Sequence, residues 1–432
     1  MISRTRATGR CGSKRHDELR LAKLKVLTIP YQYVANRAIL QLTIQVMKRR
    51  PKLCVVTTAP IVVQFFLLPH LRQLVATFDV TLVANRDCGP LLGDLSSTVR
   101  MVVVPVERQI SPWNDIVAVV QLFRLFRSER FEAVVSVAPK AGLVAMLAGF
   151  MAHTRYRCHI FQGEVWASRT GLMRMILRGA DKVIATTATE VLVVSASERE
   201  FLIEDGILTR ERSAVLGGGS ICGVDTTRFA PNPAARKRLR EQFDIPETAT
   251  LVLFLGRLHR EKGVLDLVTA WVQIAGHDPS LHLAIIGPDE DELVPMIRTV
   301  VGSVLASRLH FCGLTREPEI WMAASDILCL PSYREGFGNV IIEAGATEVP
   351  VIASRIYGIA DALIENVTGL AHEPGDCDGL AKCLSELAGD PQRRTAFGQA
   401  ARSIVIKKFE QSRVIERYAD HFGHRCNVGP EN

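Results

Sequence analysis

The sequence predicts an α/β protein built as two parallel-sheet domains in tandem, and three observations predict it. Its 432 residues exceed what one hydrophobic core organises, so two domains of about 200 residues are expected. From Lys52 onward short apolar runs alternate with stretches of helical periodicity, the pattern of stacked βαβ units. That alternation stops at Gly217-Gly218-Gly219-Ser220, which leads through Gly223 to Pro231 and Pro233, and then restarts.

Taken in order, residues 1–50 read as a basic extension. Eight Lys or Arg among the first 25 residues face only Asp17 and Glu18, and the apolar core of a signal peptide does not follow. A disordered tail or an upstream mis-start is expected there, with a membrane-surface tether as the functional alternative. Residues 51–220 form the first domain. Its strands are predicted at Leu53–Thr57, Val80–Ala84, Met101–Val104, Ala133–Val137, Arg157–Phe161 and Val191–Val194, and its helices at Gln64–Ala76, Trp113–Arg127 and Ala141–Met151. Residues 221–245 are the linker. Residues 246–408 form the second domain, with strands at Leu251–Leu255, Leu281–Ile286, Leu309–Phe311, Ile327–Leu330 and Val351–Ile352. Residues 409–432 hold a last helix, Glu410–Phe422, and a tail. Two such Rossmann-like sheets leave a cleft between the C-terminal ends of their strands, where ligands bind in folds of this class.

Composition narrows the function classes. Ten cysteines are scattered without a Cys-x-x-Cys pair or a His cluster at metal spacing, which reads as a reduced, cytosolic chain without structural zinc. The longest apolar stretch, Gly142–Ala152, falls short of the roughly 20 residues that a membrane-spanning helix needs. Charge is uneven: residues 1–220 carry 30 Lys and Arg against 17 Asp and Glu, and residues 221–432 carry 22 against 28. The basic half suits an anionic membrane surface or a polyprenyl-diphosphate acceptor. Within it, Leu172-Met173-Arg174-Met175-Ile176-Leu177-Arg178 fits a helix lying on a bilayer, or equally an ordinary surface helix with snorkelling arginines. Nucleic acid is not expected, since no aromatic-interleaved basic strand or zinc-finger spacing is present.

The most informative segment is Glu335-Gly336-Phe337-Gly338-Asn339-Val340-Ile341-Ile342-Glu343, two carboxylates separated by seven residues. It follows an apolar strand, passes through two glycines and opens a helix near Asn339. Free N–H groups at a helix start accept a diphosphate, and glycine lets a ligand approach the main chain. Carboxylates on either side can accept hydrogen bonds from sugar and ribose hydroxyls.

This segment resembles the Glu-x7-Glu signature of retaining glycosyltransferases of family 4, whose fold is GT-B, two Rossmann-like domains facing a central cleft. Phe254-Leu255-Gly256-Arg257-Leu258-His259-Arg260-Glu261-Lys262-Gly263 is similar to the family's Gly-Arg-Leu-x3-Lys-Gly element. Gly223-Val224-Asp225 with Arg228-Phe229, Phe311-Cys312-Gly313 and Pro350-Val351-Ile352-Ala353 also match in order. In the first half, Phe65–Leu71, Pro139–Leu143 and Phe161-Gln162-Gly163-Glu164-Val165-Trp166 resemble the bacterial branch that builds capsule, exopolysaccharide and O-antigen precursors.

The resemblance implies a nucleotide-sugar donor, no metal and no other cofactor. Gly256, Arg257 and Lys262 would grip the donor diphosphate, Glu335 the sugar hydroxyls, the amides of Phe337, Gly338 and Asn339 sugar and phosphate, and Glu343 the ribose. The base would sit near Phe311 to Leu314. Gly287-Pro288-Asp289 lines the same pocket or is an ordinary turn. Relatives commonly carry a His-Gly pair where this chain has Gln162-Gly163, so glutamine stands in the place of that histidine, and His159 reads as a strand residue. Glu164, just beyond a strand end, is then the candidate for a base or for orienting the acceptor hydroxyl. Lys140 is expected either to meet acceptor phosphate or to be solvated, and Ser195 and Ser197 to cap the following helix. Thr57-Thr58-Ala59-Pro60 and Glu348 depart from glycines common in the family.

The implied activity is a hexosyl transfer with retention, from a nucleotide diphosphate sugar to a lipid-linked or oligosaccharide acceptor, by a peripheral protein at the cytoplasmic membrane face. Subfamily likeness favours UDP-linked N-acetylhexosamine. A sugar-nucleotide epimerase or disaccharide synthase on the same fold, and an inactive membrane-associated scaffold of the assembly pathway, are the alternatives.

Overall fold

The structure is a computed structural model that describes residues 50–107 and 111–426. The N-terminal extension up to residue 49 and the tail after Cys426 lie outside the described residues. In the first domain the strands are β1 (Lys52–Val56), β2 (Asp79–Ala84), β3 (Val99–Val103), β4 (Ala133–Val137), β5 (Tyr156–Phe161), β6 (Glu190–Val193) and β7 (Ser213–Ala214). They form one parallel sheet in the order β3-β2-β1-β4-β5-β6-β7, with Val55 opposite Leu82 on one side and Val135 on the other. Leu53 to Val56 and all of β4 are buried, as a central strand covered on both faces requires.

Among the described residues the longer helices around this sheet are α1 (Leu68–Thr77), α2 (Pro112–Glu129), α3 (Pro139–Met151), α4 (Gly171–Thr187) and α5 (Ala196–Glu204). The helix expected from Gln64 is interrupted. A short turn at Pro60–Val62 runs into a wider one at Val63–Leu67, where the Leu68 N–H donates to the Val63 carbonyl, before α1 begins. Pro69 has no N–H to return to the preceding turn, which favours such a slip.

The second domain holds β8 (Thr250–Leu255), β9 (Leu281–Ile286), β10 (Leu309–Cys312), β11 (Ile327–Leu330), β12 (Val351–Ser354) and β13 (Gly369–His372), all parallel in the order β10-β9-β8-β11-β12-β13. Its longer helices are α6 (Pro233–Gln242), α7 (Val264–Ala275), α8 (Val294–Leu305), α9 (Pro318–Ala324), α10 (Asn339–Ala346), α11 (Cys377–Gly389) and α12 (Pro391–Lys408). Of these, α6 lies inside the stretch 221–245 expected as linker and packs on α9. At the end of α10 Glu348 has φ 62°, a left-handed conformation that glycine adopts without strain and that costs another residue about 1 kcal/mol.

A last helix, α13 (Gln411–Arg425), packs on the first domain. Its Tyr418 ring meets His70 edge to face at 5.1 Å, and Phe422 lies 6.5 Å from Tyr156. Glu190 at the start of β6 accepts from His421 Nε2 at 2.9 Å, Arg425 Nε at 3.0 Å and the Tyr156 hydroxyl at 2.6 Å. The chain thus passes between domains twice, and the two passages are joined: Val224 N donates to Phe409 O and Gln411 N to Val224 O, both at 2.9 Å.

Candidate functional site

The site is assembled at the C-terminal ends of β8, β9 and β11. After β8 the chain turns at Gly256, whose N–H donates to Ile286 O at 3.0 Å, so the loop is held to β9. Gly287, at φ 141°, comes so close to the Gly256 carbonyl that any Cβ there would overlap it. That proximity fixes Arg257 at the rim. Its Nη1 donates to Glu290 Oε2 at 2.5 Å, which occupies one of the five N–H groups of the guanidinium.

Arg260–Lys262 form a single 3-10 turn, and Gly263, with φ 66°, then lets the chain pass against the Pro331 carbonyl before α7 begins. This brings Lys262 across to β11. Lys262 Nζ donates to Glu335 Oε1 at 2.5 Å, and the Ser332 hydroxyl donates to the same oxygen at 2.9 Å. Both partners of the ion pair are mostly buried, so its geometry is well defined.

Gly338 (φ 71°) ends the loop and α10 starts at Asn339, with no side chain capping the helix. Its first N–H groups therefore keep their partial positive charge for a ligand. Asn339 itself is held by the Ser220 hydroxyl, which donates to its Oδ1 at 2.8 Å. One turn on, Glu343 projects from α10 with its carboxyl pushed up to about 7, first by burial, against the opposing pull of Arg228 and with Glu319 adding to the rise. Gly256, Arg257, Lys262, Glu335, Gly338, Asn339 and Glu343 thus converge on one end of the sheet.

Of the other expected residues, His159 lies in β5 as a strand residue, as expected, whereas Lys140 and Glu164 do not fall where expected. The Phe311 ring packs beneath α8, with the Arg298 guanidinium 5.0 Å from its centroid, so the strand end and not the ring borders the cleft. Leu314 is 66% exposed beside it. The Phe337 ring is buried and meets Phe409 at 5.2 Å, leaving only its backbone near the loop. Lys140 is neither solvated nor free for phosphate, because Asp115 Oδ1 and Oδ2 accept from it at 2.7 and 2.5 Å. His159 is fully buried, with Nδ1 2.8 Å from the Ser136 hydroxyl, and burial holds its pKa down to about 3.

Glu164 requires a correction. A carboxylate just past β5 was expected to face the cleft, yet Glu164 is 1% exposed and turned into the interior. The main-chain direction changes at Gly163 (φ 90°), and the following residues, including the buried Trp166, fold down onto α4, where Trp166 Nε1 donates to Asp181 Oδ2 at 2.6 Å.

The first domain closes the site through a seam not legible from motif spacing. The Gln162–Gly163 turn lies directly on the Glu335–Gly336 turn: a Cβ on Gly336 would lie 2.5 Å from the Gln162 carbonyl carbon and 2.7 Å from Gly163 N. Arg334 Nη1 donates to Gly163 O at 3.2 Å and Nη2 to Glu261 Oε2 at 3.0 Å, while the Ser168 hydroxyl donates to Glu261 Oε1 at 2.7 Å. Ser197 donates to Asp361 Oδ2 and accepts from Gly358 N at 2.7 Å. Ser195, as expected, caps α5, accepting from Glu198 N at 3.2 Å; Ser197 instead joins the domains. Among the described residues, three or more metal-ligating side chains nowhere form a group that could hold an ion.

Comparison with known proteins agrees with this architecture. The model described as "Glycosyl transferases group 1" matches residues 235–404, and that described as "Glycosyl transferase 4-like domain" matches residues 63–219. The capsular polysaccharide biosynthesis glycosyltransferase CapM of Staphylococcus aureus is 28% identical over 326 residues, 73% of this chain and 82% of that protein. The UDP-Gal:alpha-D-GlcNAc-diphosphoundecaprenol alpha-1,3-galactosyltransferase of Escherichia coli is 25% identical over 364 residues, 83% of this chain and 90% of that protein. Among solved structures, Anabaena Alr3699/HepE in complex with UDP and glucose superposes with a TM-score of 0.73 at 19% identity, covering 87% of this chain and 100% of that one, a likeness of fold. With a 4-like half followed by a group 1 half, on two parallel sheets joined by a double crossing, the chain belongs to the family 4 glycosyltransferases of the GT-B fold.

Proposed function

We propose that this glycosyltransferase moves a sugar from a nucleotide diphosphate donor to a hydroxyl of a lipid-linked or oligosaccharide acceptor in bacterial surface-polysaccharide assembly, with retention at the anomeric carbon. The observation that carries this reading is the convergence of Arg257, Lys262 and the uncapped start of α10 between two carboxylates, Glu335 and Glu343. In it the diphosphate lies against the α10 N–H groups, Arg257 forks onto its oxygens and Lys262 supplies a second charge. Glu335, already fixed by Lys262 and Ser332, accepts from sugar hydroxyls, and Glu343 accepts from the ribose.

The step breaks the bond between the anomeric carbon and the diphosphate oxygen and forms one to the acceptor oxygen on the same face. The acceptor proton passes to the departing diphosphate, so an enzymic base is not required, which suits a chain whose Glu164 is buried. Arg257 and Lys262 stabilise the charge that grows on the leaving group, and one such donor is worth roughly 3 to 4 kcal/mol. A metal is not needed for this role.

Docking to an anionic membrane surface is part of the reading. The starts of α2 and α4 lie at the cleft end of the first sheet and expose Trp113, Ile116, Leu172, Met175 and Ile176, beside Arg174 and Arg178, which share Asp205 as their ion-pair partner and so carry one net positive charge between the three. Apolar side chains flanked by cations suit the boundary between headgroups and acyl chains, next to where a lipid-linked acceptor would enter. Among the described residues, no helix is long and apolar enough to cross a membrane.

A panel of UDP-, GDP- and ADP-sugars scored by thermal shift tests the donor site, since a ligand at 100 times its Kd stabilises by about 2.7 kcal/mol. Transfer from the stabilising donor to a lipid extract, with the anomeric configuration read by NMR, tests the reaction. If no nucleotide sugar raises the melting temperature, or if product forms with inversion, the proposal fails.

A further inference from the structure

Behind the seam lies a buried pair of carboxylates that the transfer reading leaves unused. Glu164, past β5, is 1% exposed, and Glu198, in the first turn of α5, is fully buried. Neither oxygen of Glu164 nor Oε2 of Glu198 has a hydrogen-bond partner, and the nearby Tyr357 hydroxyl and Arg334 Nε are also unmatched. Glu198 Oε1 is engaged: it accepts from Gly163 N.

That one bond gives the pair its leverage. Gly163 is the residue whose carbonyl accepts from Arg334 and whose backbone lies on Gly336, so Glu198 anchors the first-domain side of the seam from behind. Through Arg334 the anchoring reaches Glu261, which sits in the turn between Arg257 and Lys262. The same end of α5 carries Ser197, bonded to Asp361 and Gly358 across the domains.

Two ionised carboxylates in this position would oppose acceptor to acceptor, and the neutral Tyr357 hydroxyl that faces Glu164 has one hydrogen to give and cannot satisfy both. Like charges at close quarters cannot both ionise in a buried site, and one retained proton turns the repulsion into a hydrogen bond. The surroundings favour retention. Burial raises both groups, Glu164 to about 7; Glu164 raises Glu198 further, whereas a hydrogen bond from protonated Glu198 draws Glu164 down, the pattern of a proton held on Glu198 and shared with Glu164, and Arg334 opposes the rise of both. Asp181 on α4 adds a further negative group near Glu164 and is itself pushed up to about 7 by burial, then by Glu164. Tyr357, stacked on Phe201 at 4.4 Å, and Tyr418 of α13 are the other titratable groups facing the pair, and burial keeps both phenols neutral.

We propose that Glu164 and Glu198 share one proton and act together as positioning residues, holding the Gln162–Gly163 turn against the Glu335–Gly336 turn so that the cleft closes over donor and acceptor. The link to turnover rests on the donor site proposed above; the link to the seam does not. Loss of the shared proton sets two buried charges against each other, pushes on Gly163 and loosens the seam, so both stability and turnover fall as pH rises through the pair's titration.

The test uses the full chain and three variants, Glu198→Gln, Glu164→Gln and Glu198→Ala. Either glutamine supplies a permanent N–H to the remaining carboxylate, and Glu198→Gln retains an oxygen for Gly163 N. Melting temperature against pH, which needs no substrate, is expected to fall less steeply on the alkaline side in both glutamine variants than in the parent chain. With the donor that the panel identifies, kcat of the glutamine variants keeps its neutral-pH value within about threefold and loses the alkaline decline, while Glu198→Ala drops about tenfold or more in kcat with the donor KM little changed. Identical alkaline limbs in parent and glutamine variants, in melting temperature as in kcat, would overturn the proposal. An undiminished kcat in Glu198→Ala would overturn it as well. A chain that no nucleotide sugar stabilises would refute the donor site while the melting curves still decide the shared proton.

Discussion

Replacing Gly336 by alanine isolates what closure of the seam contributes. The new Cβ would sit 2.5 Å from the Gln162 carbonyl carbon, 2.7 Å from Gly163 N and 2.8 Å from Gln162 O, all main-chain atoms that cannot swing aside. Carbon contacts are comfortable at about 3.5 to 4.0 Å, so the two turns must part by about 1 Å. Gly336 does not have a positive φ, so alanine strains nothing within the second domain and the donor loop keeps its shape. A displacement of about 1 Å between groups that must meet in the transition state costs about 100-fold in rate, or about 2.7 kcal/mol. The expected result is therefore a kcat about two orders of magnitude down, with donor Kd by titration calorimetry changed less than about threefold. A variant with parental kcat would refute the argument that the domains react in this closed arrangement. A donor Kd weakened as much as kcat would refute the separation of donor grip from seam.

Three further outcomes follow from the same geometry. Arg257→Ala is expected to lower kcat by about 10² to 10³, the loss of roughly 3 to 4 kcal/mol of leaving-group stabilisation, measured under saturating donor. Glu343→Gln reports on a carboxyl whose pKa burial raises to about 7 in the folded chain against an ordinary 4.5. Because the folded state holds its proton more tightly, stability is full below about 4.5 and declines as pH rises through 7, by about 3 kcal/mol in all. The glutamine variant should then melt higher than the parent at pH 8 and alike at pH 4, while its nucleotide affinity loses the rise expected of the parent as Glu343 ionises. Leu172→Glu combined with Ile176→Glu should abolish sedimentation with vesicles rich in anionic lipid and leave donor binding unchanged, since both side chains point to solvent on α4.

Much of the fold was legible because its signals are local. Central strands such as Ala133–Val137 and Ile327–Leu330 are short β-branched or apolar runs bounded by polar or Pro-containing turns, and α10 starts at Asn339 where the glycine loop ends. What escaped is either short or non-local. Two-residue β7 carries no periodicity, and β13 begins on a glycine and ends on a histidine. The donor-side residues could be read because one loop and one helix start bring most of them together in sequence. The seam could not, since Gly163 meets Gly336 and Ser197 meets Asp361 across more than 160 positions. Glu164 shows the limit most clearly: its place after a strand end is local information, but the sharp turn at Gly163 that buries it belongs to the packing of Trp166 and Glu198.

The return of α13 to the first domain has a consequence during synthesis. Leu71, Tyr156 and the Glu190 carboxylate belong to the first domain, yet the side chains that cover and neutralise them, Tyr418, Phe422, His421 and Arg425, leave the ribosome only after the whole second domain. The nascent first domain must wait with an open apolar flank until α13 has been made. A stop or a frameshift near residue 410 would therefore leave the first domain unfinished, and chaperone dependence should track the fifteen residues of α13 more closely than the far larger second domain.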